Sequence, residues 1–86
     1  MAWTIKLEDR AIKELSKLEK QTQKKIINYL KERTIENPRA FGKALSHDKA
    51  GLWRYRVGDY RIVCRIEDCN LIILVLSVAH RKNIYR

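Results

Sequence analysis

Acidic residues are scarce in this chain. Ten Asp and Glu stand against nineteen Lys and Arg, a formal charge of +9 on 86 residues and a pI near 9.9. Such an excess repels itself in the compact state and suits an anionic partner. Nucleic acid is the first candidate and an acidic protein the second. An anionic membrane surface ranks third, because neither predicted helix sets a Trp/Phe/Leu face against a basic one. Cysteine is nearly absent as well: Cys64 and Cys69 cannot build a disulfide framework, and no second pair or histidine completes a zinc pattern. Cys64 reads as a small buried hydrophobe of a strand, and Cys69 falls in a turn. Three glycines and one proline exclude collagen-like and low-complexity chains. The longest apolar run, Leu71 to Val78 broken by Ser77, is far short of the ~18–20 residues that cross a membrane. No charged segment feeds an apolar one at the N-terminus, so no secretory signal is expected and the cytoplasm is the default location.

What is present is a small globular composition, 45% hydrophobic and 34% charged, expected to form a single domain over residues 1–86. Residues 2–7 read as a first strand. Glu8-Asp9 then favours a helix start, because carboxylates complement the helix dipole. Ala11, Ile12, Leu15 and Leu18 recur at helical spacing. A second helix is predicted from about Gln21 to Glu36, with Ile26, Ile27, Leu30 and Thr34 inward, ending before Pro38. Residues 37–50 read as a loop anchored by Phe41 and Leu45. Three strands follow, Leu52–Val57, Tyr60–Ile66 and Leu71–Ala79. The expected fold is α+β, in the order β-α-α-β-β-β, with the helical hairpin on one face of a four-stranded, antiparallel-dominated sheet.

The turn Gly58-Asp59, with Gly in its first central position, suits a type II′ hairpin and fixes a register. Val57 should pair with Tyr60, Arg56 with Arg61, Tyr55 with Ile62, Arg54 with Val63 and Leu52 with Arg65. Because paired residues share a face, Arg54, Arg56, Arg61 and Arg65 fall together. Trp53, Tyr55, Val57, Tyr60, Ile62, Cys64 and Ile66 fall on the other side, the natural floor for the helices. Like charges directly opposite one another destabilise a sheet by about 0.2–1 kcal/mol, which an anionic partner would offset. Residue type sharpens the point: residues 1–50 hold nine Lys and three Arg, residues 51–86 one Lys and six Arg. Arginine offers a planar fork for two phosphate oxygens at once. The chain closes on Ala79-His80-Arg81-Lys82-Asn83-Ile84-Tyr85-Arg86. A loop without irregularity aligns His80 with the arginine face, whereas one bulged residue aligns Arg81 instead.

The stretch Gly51-Leu-Trp-Arg-Tyr-Arg-Val-Gly-Asp-Tyr-Arg-Ile-Val, followed by Leu-Ser-Val-Ala-His-Arg-Lys-Asn-Ile-Tyr, resembles the RelE/ParE superfamily of bacterial toxins, the RelE branch above all. The resemblance implies a ribosome-dependent endoribonuclease that cuts mRNA in the A site. It also implies an acidic RelB-like antitoxin as partner, and contact with operator DNA only through the antitoxin complex. It places Arg54 and Arg56 where the family has basic residues, some members carrying lysines there. Arg61 matches the arginine after the hairpin tyrosine, Arg81 the arginine ending the last strand, and Tyr85 the C-terminal tyrosine.

The chemistry fits that expectation. RNA can be cleaved without metal or cofactor when its 2′-hydroxyl attacks the adjacent phosphate, and no Asp/Glu cluster here suits a two-metal site. The reaction needs a base, an acid and positive charge on the phosphorane. Arginine supplies charge but is a poor base. His80 titrates in the right range, and neighbouring arginines would favour its neutral form. Tyr85 could stack on a base or relay a proton, and His47 is the weaker candidate. The expected site is therefore Arg61, Arg81, His80 and Tyr85 for catalysis, with Arg54, Arg56 and Arg65 on phosphate and no metal. Two rivals stand beside it: a ParE-like toxin that inhibits gyrase without cleavage, and a non-catalytic basic module acting with its antitoxin as a repressor.

Overall fold

Alternation of apolar and polar residues builds the sheet, and the computed structural model, which describes residues 3–45 and 51–82, shows how it is ordered. The elements are β1 (Thr4–Leu7), α1 (Asp9–Ser16), α2 (Lys20–Tyr29), β2 (Lys43–Ala44), β3 (Leu52–Val57), β4 (Tyr60–Glu67) and β5 (Ile72–His80). They form a five-stranded sheet in the order β1-β5-β4-β3-β2, with β1 parallel to β5 and every other pair antiparallel. The fold is α+β.

The helices cover one face. Asp9 sits in the first turn of α1, where its carboxylate complements the exposed amides. Ala11 and Leu15 of α1 and Ile26 of α2 are buried against Tyr55, Val57, Ile62, Cys64, Ile73, Val75 and Val78 of the sheet. The predicted inward face of β3 and β4 is the observed one. Burial pushes the Cys64 thiol up to about 12, so it stays protonated and inert.

Four expectations need correction. The sheet has five strands rather than four, because Lys43 and Ala44 pair with Arg54 and Trp53 inside the segment read as a loop. Two residues carry no periodicity. What seats them is the Trp53 indole, whose Nε1 donates to the Phe41 carbonyl at 2.6 Å, and Gly42, which lies against the Arg54 carbonyl. The second helix stops being α-helical at Tyr29, and Leu30–Thr34 continues as a π-helical turn. There the buried Thr34 hydroxyl donates to the Leu30 carbonyl, a back-bond that competes with regular helix geometry. Ile12, expected inward, is 51% exposed. The last strand begins one residue late, because Leu71 takes a left-handed conformation (φ 53°) that closes the 3-10 turn Asp68–Asn70. His47, Tyr85 and the tail from residue 83 onward lie outside the described residues.

Candidate nucleic-acid interface

The predicted hairpin register is the observed one, Arg56 opposite Arg61, Arg54 opposite Val63 and Leu52 opposite Arg65. Arg54, Arg56, Arg61 and Arg65 therefore share the sheet face that the helices leave open. Arg56 and Arg65 are exposed, while Arg54 and Arg61 are half-buried. The Arg54 Nε is buried and has no hydrogen-bond partner among the described residues. Such a donor is costly to leave unmet.

A bulge decides the C-terminal end of the face. Val63 pairs with Ser77 but Cys64 with Val75, so Leu76 is the extra residue on β5. Beyond it, Ala79 pairs with Arg61 and His80 with Tyr60. The Arg81 amide donates to the Asp59 carbonyl at 2.8 Å, continuing that ladder. Of the two alignments left open by the sequence, Arg81 joins the arginine face. Its guanidinium lies 3.9 Å from the Asp59 carboxylate, both groups exposed.

His80 stands on the helix side. Its ring meets Tyr60 edge-on, with centroids 5.2 Å apart, and Nδ1 accepts the Lys82 amide at 3.2 Å. It lines a cleft of about 390 Å³ with Arg10, Glu14, Lys17, Leu18 and Tyr60. The structure thus gathers five of the expected arginines and leaves His80 apart from them.

Sequence reasoning missed one cation. Lys43, paired with Arg54, joins the face from β2 and shares with Gly42, Arg54 and Arg56 a cavity of about 230 Å³ that no acid lines among the described residues. Little in the sequence marks Lys43, because the pairing that aims it rests on loop geometry. That loop is pinned from three sides. Tyr55 donates its hydroxyl to the Pro38 carbonyl, Trp53 donates to Phe41, and Arg39 makes a two-armed ion pair with Asp68 at 2.7 and 2.9 Å. The Arg39 bonds hold the Asp68 carboxyl below its ordinary range. Burial raises the Tyr55 hydroxyl, which remains a donor. Lys43, Arg54 and Arg56 around one cavity can bind the oxygens of a phosphodiester and stabilise added charge on them.

Known proteins share this chain's sequence pattern and fold. Residues 5–85 match the family model described as ParE toxin of type II toxin–antitoxin system. The chain is 30% identical to Toxin RelG of Mycobacterium tuberculosis over 86 residues, all of this chain and 99% of that one. It is also 30% identical to Toxin RelE of the same organism over 76 residues, 88% of this chain and 78% of that one. Among solved structures, the RelBE2 toxin–antitoxin complex of M. tuberculosis aligns with a TM-score of 0.86 at 26% identity, covering 96% of this chain and 95% of that one. A free E. coli RelE toxin variant aligns with a TM-score of 0.84 at 24% identity, covering 98% and 88%.

Proposed function

The chain belongs to the RelE/ParE superfamily of type II toxin–antitoxin toxins, and from that premise we propose that it is a ribosome-dependent endoribonuclease cutting mRNA in the A site. The observation that carries this reading is the opposition of Arg56 and Arg61 on the open face, flanked by Arg54 and Lys43.

In the proposed reaction the 2′-hydroxyl of one nucleotide loses its proton to a base and attacks the adjacent phosphorus. The P–O5′ bond breaks, the 5′-oxygen takes up a proton, and a 2′,3′-cyclic phosphate remains. Arg56 and Arg61 hold the non-bridging oxygens and stabilise the charge that builds on them. Arg54, Arg65 and Lys43 bind flanking phosphates, and Arg81 closes the end of the face. Proton transfer was expected of His80 or Tyr85. The position of His80 across the sheet from Arg61 favours Tyr85.

Single-turnover cleavage on ribosomes programmed with a defined codon tests the proposal. Arg61→Ala should slow the chemical step by about 10²–10³-fold, the usual worth of one transition-state donor, with the fold intact. Parental cleavage by Arg61→Ala would remove the assignment.

The match to the ParE family model favours one second reading, gyrase inhibition without cleavage. A supercoiling assay beside the cleavage assay separates the two. The partner is an acidic RelB-like antitoxin lying over this basic surface, so its affinity should fall with added salt. The relatives aligned above include a toxin–antitoxin complex. Operator DNA would be reached only through that complex, and the site is cytoplasmic on this reading.

A further inference from the structure

A second group of cations lies around the corner from the arginine face. The Lys25 side chain of α2 reaches the β3–β4 turn, where a Cβ on Gly58 would sit 3.7 Å from its Nζ. Between them opens a cleft of about 390 Å³, lined by Lys25, Asn28, Tyr29, Glu32, Arg33 and Arg56. Among the described residues three cations face one carboxylate there. Arg33 is held in place by aromatic rings, its guanidinium carbon 5.9 Å from the Tyr29 centroid and 5.8 Å from that of Phe41. Tyr29 in turn packs edge-on against Phe41 and Tyr55. A long side chain fixed in this way loses less freedom when it binds, and a guanidinium plane is a surface on which nucleobases stack. The volume falls in the range of small-ligand sites. Arg56 lines both this cleft and the cavity with Lys43 and Arg54, so the two adjoin at one residue.

We propose that the cleft between α2 and the β3–β4 turn binds one nucleotide of single-stranded RNA adjacent to the nucleotide held on the arginine face. Its phosphate lies on Lys25 and Arg56, and its base stacks on the Arg33–Tyr29 pair. Asn28 and Glu32 reach the base edge. A carboxylate accepts from amino groups of bases but repels a second phosphate, which suits a nucleotide within a strand better than a polyphosphate. The inference rests on the reading that the arginine face holds RNA.

Equilibrium binding of a 2′-O-methyl hexaribonucleotide, which lacks the attacking hydroxyl, tests it by fluorescence anisotropy over a range of salt. Lys25 is exposed, so Lys25→Glu should fold normally. Lys13→Glu on α1, far from the cleft in sequence and equally exposed, controls for the same change in net charge. Lys25→Glu should weaken binding about tenfold more than Lys13→Glu and flatten the log K against log salt slope by about 0.7. Arg33→Lys keeps the charge but loses the planar surface; it should weaken binding with little change of slope. Equal effects of Lys25→Glu and Lys13→Glu would overturn the cleft, while loss of binding by Arg61→Ala in the same experiment would leave the arginine face standing. If Arg61→Ala also matched Lys13→Glu, both readings would fall. Weaker antitoxin binding by Lys25→Glu and Arg33→Lys with RNA binding unchanged would assign the cleft to an acidic protein and overturn the proposal.

Discussion

Glu14 of α1 accepts the backbone amide of Val78 at 2.9 Å, across 64 residues of sequence. β1 pairs with Ile72–Val75 of β5, so among the described residues the far half of β5 has no strand beside it there, and this carboxylate takes that place just past the Leu76 bulge. The other oxygen of Glu14 accepts from Arg10 at 3.4 Å. The contact holds the strand end that leads into Arg81. Glu14→Ala should lower stability by about 1–2 kcal/mol, as expected for a hydrogen bond to a charged group, and the melting temperature by about 4–8 °C per kcal/mol. Hydrogen exchange should show the Val78 amide losing protection first. An unchanged Val78 amide would mean the carboxylate does not hold the edge.

Proton transfer separates two side chains that the sequence places five residues apart. His80→Gln should cleave within about twofold of the parent, because the imidazole is turned toward Tyr60 on the far side of the sheet. Tyr85→Phe should lose about 10²–10⁴-fold in the single-turnover rate. The parental rate should then keep rising with pH above the ~6.5 of free imidazole. A plateau from that pH upward, abolished in His80→Gln, would return the role to His80.

Gly42 has φ +72°, and a Cβ there would strike the Arg54 carbonyl oxygen and sit 2.8 Å from Trp53 Nε1. Gly42→Ala must therefore push β2 off β3, at a loss of more than about 1 kcal/mol. Thermal unfolding would reveal the loss. Cleavage should fall further than stability accounts for, because Lys43 moves with the strand.

Asp68 titrates lower in the folded chain than in the unfolded one, because Arg39 bonds to its ionised form. A depressed carboxyl contributes stability above its unfolded pKa, about 3.9, and loses it as pH falls through the folded value. The melting temperature of the parent should exceed that of Asp68→Asn at neutral pH, and the gap should close below about pH 4. The pair is exposed, so the gap should shrink with salt too. A gap that widened on acidification would contradict the assignment.

The parts of the site legible in the sequence are those fixed by short-range rules. A two-residue turn at Gly58-Asp59 leaves one register for β3 and β4, so the facing of Arg54, Arg56, Arg61 and Arg65 follows from the sequence alone. The bulge could not. Leu74, Val75 and Leu76 are all apolar, and an extra residue among them breaks no visible alternation. That one residue decides between His80 and Arg81. β2 was unreadable for a different reason, since the loop that carries it is positioned by Trp53, Tyr55 and Asp68, all on later elements. The π-turn at Leu30–Thr34 keeps the same inward residues as a regular helix and so leaves no mark on the apolar pattern.

The parallel pairing of β1 with β5 has a consequence for how the chain comes to exist. Thr4 is aligned with Ile72, and β5 occupies an interior place between β1 and β4. During synthesis β1 leaves the ribosome first and has no strand to pair with until β5 follows it. Contacts this distant in sequence also slow the final closure. The half of the chain made first holds the lysines, and most of the arginine face is translated afterwards. A nascent chain interrupted before β5 therefore has neither the Arg81 corner nor a closed core, and on the proposed reading it is harmless to the ribosome that is making it.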